Sequence, residues 1–213
     1  MLRERLRLCA TQVGAALNEP EEFALRWHRE GTPYHWSVFG ALTLTAILGT
    51  TTYGMIMGLL SGPESMLAGG LHCTLATGIA WCLALPALYI LNSLSGSRLR
   101  ASTTFLAALV TTSWGGLAMI ASIPIGWFFT AALPEEIRLF SLHFSRATAV
   151  LVVHLVVFTG VGIAMSDIFR RVMAALEPER GRWPMWWLVL VGAIGAELFY
   201  KFDLFQLESL GWV

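Results

Sequence analysis

The chain has 213 residues, of which 56% are hydrophobic and 13% are charged, and its 14 basic and 14 acidic side chains give a net charge of +0. A soluble domain contains about 25% charged residues, so this composition, with a mean hydropathy of +0.65, indicates a multi-pass membrane protein. It excludes a disordered chain, a disulfide scaffold with only three cysteines, and a nucleic-acid-binding protein that relies on a basic surface.

Residues 1–35 precede the first long apolar segment and are predicted to form a cytoplasmic arm of two short helices, separated at Pro20. One face of the first helix repeats apolar residues at steps of three or four, namely Leu2, Leu6, Cys9, Val13 and Leu17. Arginines lie off this stripe, which is typical of an amphipathic helix at a membrane surface. The alternative is that the stripe docks onto the protein's own loops.

Five segments are long and apolar enough to cross a bilayer, because a spanning helix needs about 20 mostly apolar residues. They cover residues 36–60, 66–91, 103–132, 142–169 and 183–200, and residues 201–213 form a short external tail. Pro86 and Pro124 lie inside the second and third segments and predict kinks. The predicted fold is an all-α polytopic membrane protein with a bundle of five transmembrane helices over residues 36–200.

The basic residues predict the orientation of this bundle. Eleven of the 14 lie in the N-terminal arm and in the loops after the second and fourth segments. The positive-inside rule therefore places the N-terminus in the cytoplasm and the C-terminus outside. Asp167, at the inner end of the fourth segment, is expected to pair with Arg98, Arg100 or Arg170.

Small residues predict where the helices pack closely, because lipid provides no hydrophobic drive between helices. The third segment shows a stripe of such residues on one face, including Thr104, Thr111, Gly115 and Ser122. We interpret this stripe as a packing surface.

Three ionisable residues lie at membrane depth, where such groups are candidates for function. His72 and Glu197 lie at nearly the same depth and are predicted to form an intramembrane polar pair, unless Glu197 is protonated or reaches the outer headgroups near Lys201. His154 lies near the middle of the fourth segment and is the candidate cofactor-binding residue. The alternative is a hydrogen bond from His154 to Ser or Thr on a neighbouring helix. The histidine spacing predicts no metal site.

Catalytic motifs are not evident. Glu21, Glu22 and Arg26 are spaced as in the first motif of intramembrane CAAX-type proteases, but they precede the first span and the later histidine motifs are missing. The sequence also contains no phosphate-binding loop and no His-Glu-x-x-His motif. We therefore expect a protein without enzymatic activity.

The architecture of five spans, a cytoplasmic arm and short loops is similar to that of the Yip family of small five-span membrane proteins, which has bacterial members. The similarity includes the Pro20–Phe23 lead-in and the proline-bearing second span that runs into Asn92–Arg100. The Asp-Leu-Tyr-Gly-Pro motif of the eukaryotic members is missing, so no functional residue is transferred. The resemblance implies a non-enzymatic protein that works through partners or membrane organisation.

Taken together, these features predict a structural or interaction protein of the bacterial cytoplasmic (inner) membrane. Its expected partners are membrane lipids and a membrane-protein partner or a second copy, with no nucleic acid and no cofactor. One alternative is an accessory subunit that binds a lipid, quinone or tetrapyrrole near His154. A further alternative is a small channel or transporter with a polar path through His72, His154 and Glu197.

Overall fold

The structure is a computed structural model that describes residues 2–30, 35–139, 142–180 and 186–202. It is all-α and 90% helical. The elements in chain order are α1 (Leu2–Asn18), α2 (Pro20–Glu30), α3 (His35–Met57), α4 (Pro63–Leu94), α5 (Ala101–Ala132), β1 (Glu136–Leu139), β2 (Leu142–Ser145), α6 (Arg146–Leu176) and α7 (Trp186–Lys201), with short 3-10 turns at Leu59–Ser61 and Pro178–Arg180.

Four helices in the described part of the chain, α3 to α6, are long and apolar enough to cross a membrane. α7 has 16 residues, which is shorter than the roughly 20 residues that a span needs. Residues 183–185 of the predicted fifth span lie outside the described residues. The molecule is therefore a helical membrane protein, with four candidate spans in the part of the chain that the structure describes.

The fourth predicted span begins too early. Residues 142–145 form β2, which pairs antiparallel with β1 so that Glu136 faces Ser145. α6 then begins at Arg146 because the Ser145 hydroxyl accepts a hydrogen bond from the backbone N–H of Thr148 at 3.1 Å, as a helix N-cap does. The predicted span included these residues because Leu142 and Phe144 are as apolar as the helix that follows.

α5 lies at the centre of the bundle and packs mainly against α3 and α6. Its packing on α3 is closest at Gly116, where a methyl group added to Gly49 of α3 would overlap the Gly116 backbone. α3 packs equally closely on α4, where Gly54 faces Gly69. Glycine thus sets the distance between the central helices, as in other membrane bundles.

The N-terminal arm packs onto the bundle. Phe23 is 1% exposed and lies in a cluster with Val38, Leu42, Leu106 and Val110 of α3 and α5. Glu21 of α2 also forms an ion pair of 2.7 Å with Arg171 of α6. The buried apolar residues of the arm therefore face the protein's own helices, which favours the docking alternative, with helices in place of loops as the partners. Contact of the arm with the membrane surface stays a prediction.

Candidate functional site

The main candidate site is a cavity of about 440 Å³ between α4, α5, α6 and α7, which we call the α4–α7 cleft. Its volume lies within the roughly 300–1,000 Å³ of typical small-molecule sites. The lining is largely apolar and includes Trp81 of α4, Met119 of α5, Phe158 and Met165 of α6, and Gly195 of α7. A cavity of this kind matches an apolar molecule.

The cleft exists because the four helices do not close on one another. α7 packs along α4 but makes few contacts with α6, and α4 makes few contacts with α5. Along the gap between α6 and α7, a Cβ added at Gly162, Gly192 or Gly195 would meet open space. One end of the gap is closed by Phe158 and Phe199, whose rings lie 5.1 Å apart. The remaining gap faces the surroundings of the bundle, which in a membrane are lipid.

The hydrogen-bonding groups of the lining fall into two kinds. The hydroxyls of Thr111, Thr159 and Ser166 each donate to a carbonyl one turn earlier in their own helix, at 2.8 Å. By contrast, the Trp81 indole N–H has no acceptor among the described residues. The Thr77 hydroxyl is fully buried and lies within reach of the Cys73 thiol on the preceding turn. Within the described residues, the Trp81 N–H is thus a donor of the lining that no protein group accepts.

His154 lies in the protein interior beside the cleft. Its side chain is 3% exposed, and its Nδ1 lies 2.9 Å from the hydroxyl of the fully buried Tyr53. Gly126 packs against the ring edge, where an added Cβ would lie 3.4 Å from Cε1. The expected alternative, a polar partner across a helix pair, is thus realised by tyrosine and not by Ser or Thr.

The second nitrogen of His154, Nε2, is buried and has no hydrogen-bond partner among the described residues. In the tautomer with the proton on Nε2, Tyr53 donates to Nδ1, and only the Nε2–H group is left without a partner. In the tautomer with the proton on Nδ1, that nitrogen donates to Tyr53, and both the Tyr53 hydroxyl proton and the Nε2 lone pair are left without a partner. The Nε2–H tautomer is therefore favoured.

A tetrapyrrole does not fit at His154 in this packing, because the imidazole is enclosed and does not line the cleft. Phe158, one turn further along α6, does line the cleft and also packs against Tyr53 with a ring distance of 5.5 Å. Within the described residues, no group of three or more His, Cys, Asp or Glu side chains is placed to hold a metal ion.

His72 and Glu197 have separate neighbours. The His72 ring lies 5.7 Å from the ring of Phe202, and Glu197 Oε1 lies 3.7 Å from Lys201 Nζ. Across the described ranges, no hydrogen bond or ion pair joins His72 to Glu197. The expected pair is therefore not formed. Glu197 lies beside Lys201 instead, and its contact with the outer headgroups stays a prediction.

The predicted stripe on α5 lies largely in helix contacts. Thr104 and Thr111 are each 1% exposed, and Gly115 is buried, with Met165 of α6 directly over Gly115. Ser122 is half-buried and donates to the Ala118 carbonyl of its own helix at 2.9 Å.

Sequence reasoning missed a polar network that joins the end of α4 to the end of α6. Asn92 is 2% exposed, and its side-chain oxygen accepts a hydrogen bond from Arg180. Glu177 accepts from the Ser97 hydroxyl and from the Arg98 backbone N–H, both at 2.8 Å. The sequence feature that could have indicated this network is Asn92 at the end of an apolar span, because a buried amide needs a hydrogen-bond partner.

Asp167 forms ion pairs with Arg170 at 2.6 Å and with Arg171 at 3.1 Å. Arg170 was among the expected partners, whereas Arg171 was not. Because Arg171 also binds Glu21, this group connects α6 to the N-terminal arm.

Comparison with protein-family models, curated proteins and solved structures gives no match.

Proposed function

We propose that this protein is a non-catalytic membrane protein that binds a lipid-soluble ligand in the α4–α7 cleft. The observation that supports this function is the cleft itself, an apolar space of about 440 Å³ that opens between α6 and α7. A void among apolar side chains forfeits packing contacts. An apolar ligand that restores those contacts would be retained there.

The proposal includes five spans with a cytoplasmic N-terminus. α7 packs along α4, one of the four candidate spans, and residues 183–185 would lengthen it towards the roughly 20 residues of a span. The location of eleven basic residues in the arm and two loops supports the orientation. We place the protein in a bacterial cytoplasmic membrane.

Binding accounts for the geometry better than conduction does. A channel through His72, His154 and Glu197 would need these groups to face a common path. Each has its own separate neighbour instead, Phe202, Tyr53 and Lys201 respectively. The apolar lining of the cleft also offers little to an ion.

Interaction with a membrane-protein partner or a second copy is a second candidate function. In the most apolar stretches of α4 and of α6, only 22% of the residues are buried inside the protein, whereas 50% are buried in α5. Their outward surfaces are therefore available to lipid or to another helix. Copurification of a stoichiometric partner would support this role.

The cleft can be tested by filling it. We expect Gly195→Leu to place its side chain in the open gap without a clash and to exclude a ligand. Gly160→Leu is the matched control, because Gly160 also faces open space but does not line the cleft.

The assay reconstitutes each variant in nanodiscs that contain a phospholipid with a photoactivatable acyl chain, and maps the labelled residues by mass spectrometry. We expect labelling of α6 around Phe158–Met165 in the wild type and in Gly160→Leu, and its loss in Gly195→Leu. Equal labelling of this segment in all three proteins would contradict the proposal.

A further inference from the structure

The unused donor of the cleft, the Trp81 N–H, lies deep in the bundle. Trp81 is 18 residues from the first residue of α4 and 13 from the last, so it lies about 27 Å and 20 Å from the two ends of that helix. Thr77 precedes it by one turn and shares its face. Both side chains line the cleft.

This depth restricts which molecules can place an oxygen beside Trp81. The hydrocarbon core of a bilayer is about 30 Å thick, so its middle lies about 15 Å from either polar interface. The headgroup and ester oxygens of a phospholipid stay at that interface, and only its chain reaches the cleft. An oxygen at mid-depth must belong to a molecule that dissolves in the hydrocarbon core.

The chemistry of the lining specifies the kind of oxygen. An indole N–H is only a donor. Three hydroxyls of the lining already donate to their own helices. The site therefore presents the Trp81 N–H as a donor in an apolar space, and an acceptor such as a carbonyl oxygen complements it.

We propose that the ligand of the α4–α7 cleft is a lipid-soluble carbonyl compound, the chemical class that includes isoprenoid quinones. Its carbonyl oxygen accepts a hydrogen bond from Trp81 Nε1, and its apolar tail leaves between α6 and α7, where Gly162, Gly192 and Gly195 leave space. This inference rests on the proposed function, because it specifies the ligand of the same cleft.

The test compares two probes with the same tail length, menaquinone-4 and the saturated hydrocarbon phytane. Binding of each to the purified, delipidated full-length protein is measured by native mass spectrometry. Trp81→Phe keeps an aromatic ring and removes the N–H. Trp114→Phe is the control, because Trp114 is also partly buried but does not line the cleft.

We expect menaquinone-4 to bind the wild type more tightly than phytane does. Trp81→Phe should weaken menaquinone-4 binding by about fivefold or more, as the loss of one hydrogen bond does, and leave phytane binding unchanged. Trp114→Phe should change neither, and Gly195→Leu should weaken both.

The outcomes separate the two proposals. If phytane binds as tightly as menaquinone-4, or Trp81→Phe weakens both equally, the carbonyl assignment is wrong while the cleft still binds an apolar ligand. If neither probe binds, or Gly195→Leu changes neither, the proposed function is wrong as well.

Discussion

The close approach of α3 and α5 makes a quantitative prediction for Gly49→Ala. A methyl group on Gly49 would overlap the Gly116 backbone, so the two helices must separate by about 1 Å, which forfeits a quarter to a half of the dispersion energy of each affected atom pair. Overpacking of this kind costs about 1–3 kcal/mol. The cost falls on the central helix of the bundle, because α5 is the most buried of the four candidate spans.

Gly78→Ala is the matched control, because a Cβ added at Gly78 meets nothing within 4 Å. Alanine is favoured over glycine inside a helix by about 1 kcal/mol, so this variant should be slightly more stable than the wild type. The same preference for alanine acts at Gly49, so the two variants should differ by the overpacking cost of about 1–3 kcal/mol, or by about 2 °C or more in melting temperature.

The nine tryptophans of the chain allow thermal unfolding to be followed by intrinsic fluorescence in detergent. We expect Gly49→Ala to melt below the wild type and Gly78→Ala at or above it. Melting of both variants within 1 °C of each other would refute the packing argument.

Three further substitutions test other contacts by the same melting assay. Tyr53→Phe removes the hydroxyl that lies 2.9 Å from His154 Nδ1 and should lower the free energy of unfolding by about 1–3 kcal/mol, because a buried imidazole is left without a partner. Asn92→Ala removes a buried acceptor of Arg180 and should cost about 1.5–3 kcal/mol, as loss of a hydrogen bond to a charged group does. Phe23→Ala empties a site that is 1% exposed and should cost about 3–5 kcal/mol.

Each of these variants has a control at an exposed position, where we expect little change. Tyr200→Phe matches the tyrosine, Ser93→Ala matches the asparagine, and Glu22→Ala matches the phenylalanine. Phe23→Ala also reports on the arm. An unchanged melting temperature for this variant would mean that the arm is not docked onto α3 and α5.

The candidate spans were predictable because membrane crossing depends on hydrophobic length, a property that sequence displays directly. The start of α6 was not, because Leu142 and Phe144 are as apolar as the helix that follows, and only pairing with β1 makes them a strand. The docking of the arm was left open for a similar reason. An amphipathic stripe has the same pattern whether it faces lipid or protein.

The candidate site was less predictable, because it depends on which helices meet. His154 was recognised as an unusual group, but its partner Tyr53 is 101 residues away in the chain. Gly192 and Ala196 are small residues of the kind that predicts close helix packing, whereas they line an open cleft. Small residues permit close contact where helices meet and leave space where they do not, so the pattern alone does not distinguish the two.

The central claim, that the α4–α7 cleft holds a lipid-soluble ligand, is tested most directly by a density map of the protein isolated in native-lipid nanodiscs. The account predicts elongated non-protein density that enters between α6 and α7, ends against Trp81, and is missing in Gly195→Leu. A map in which α7 closes onto α6 and protein side chains fill the cleft would contradict it.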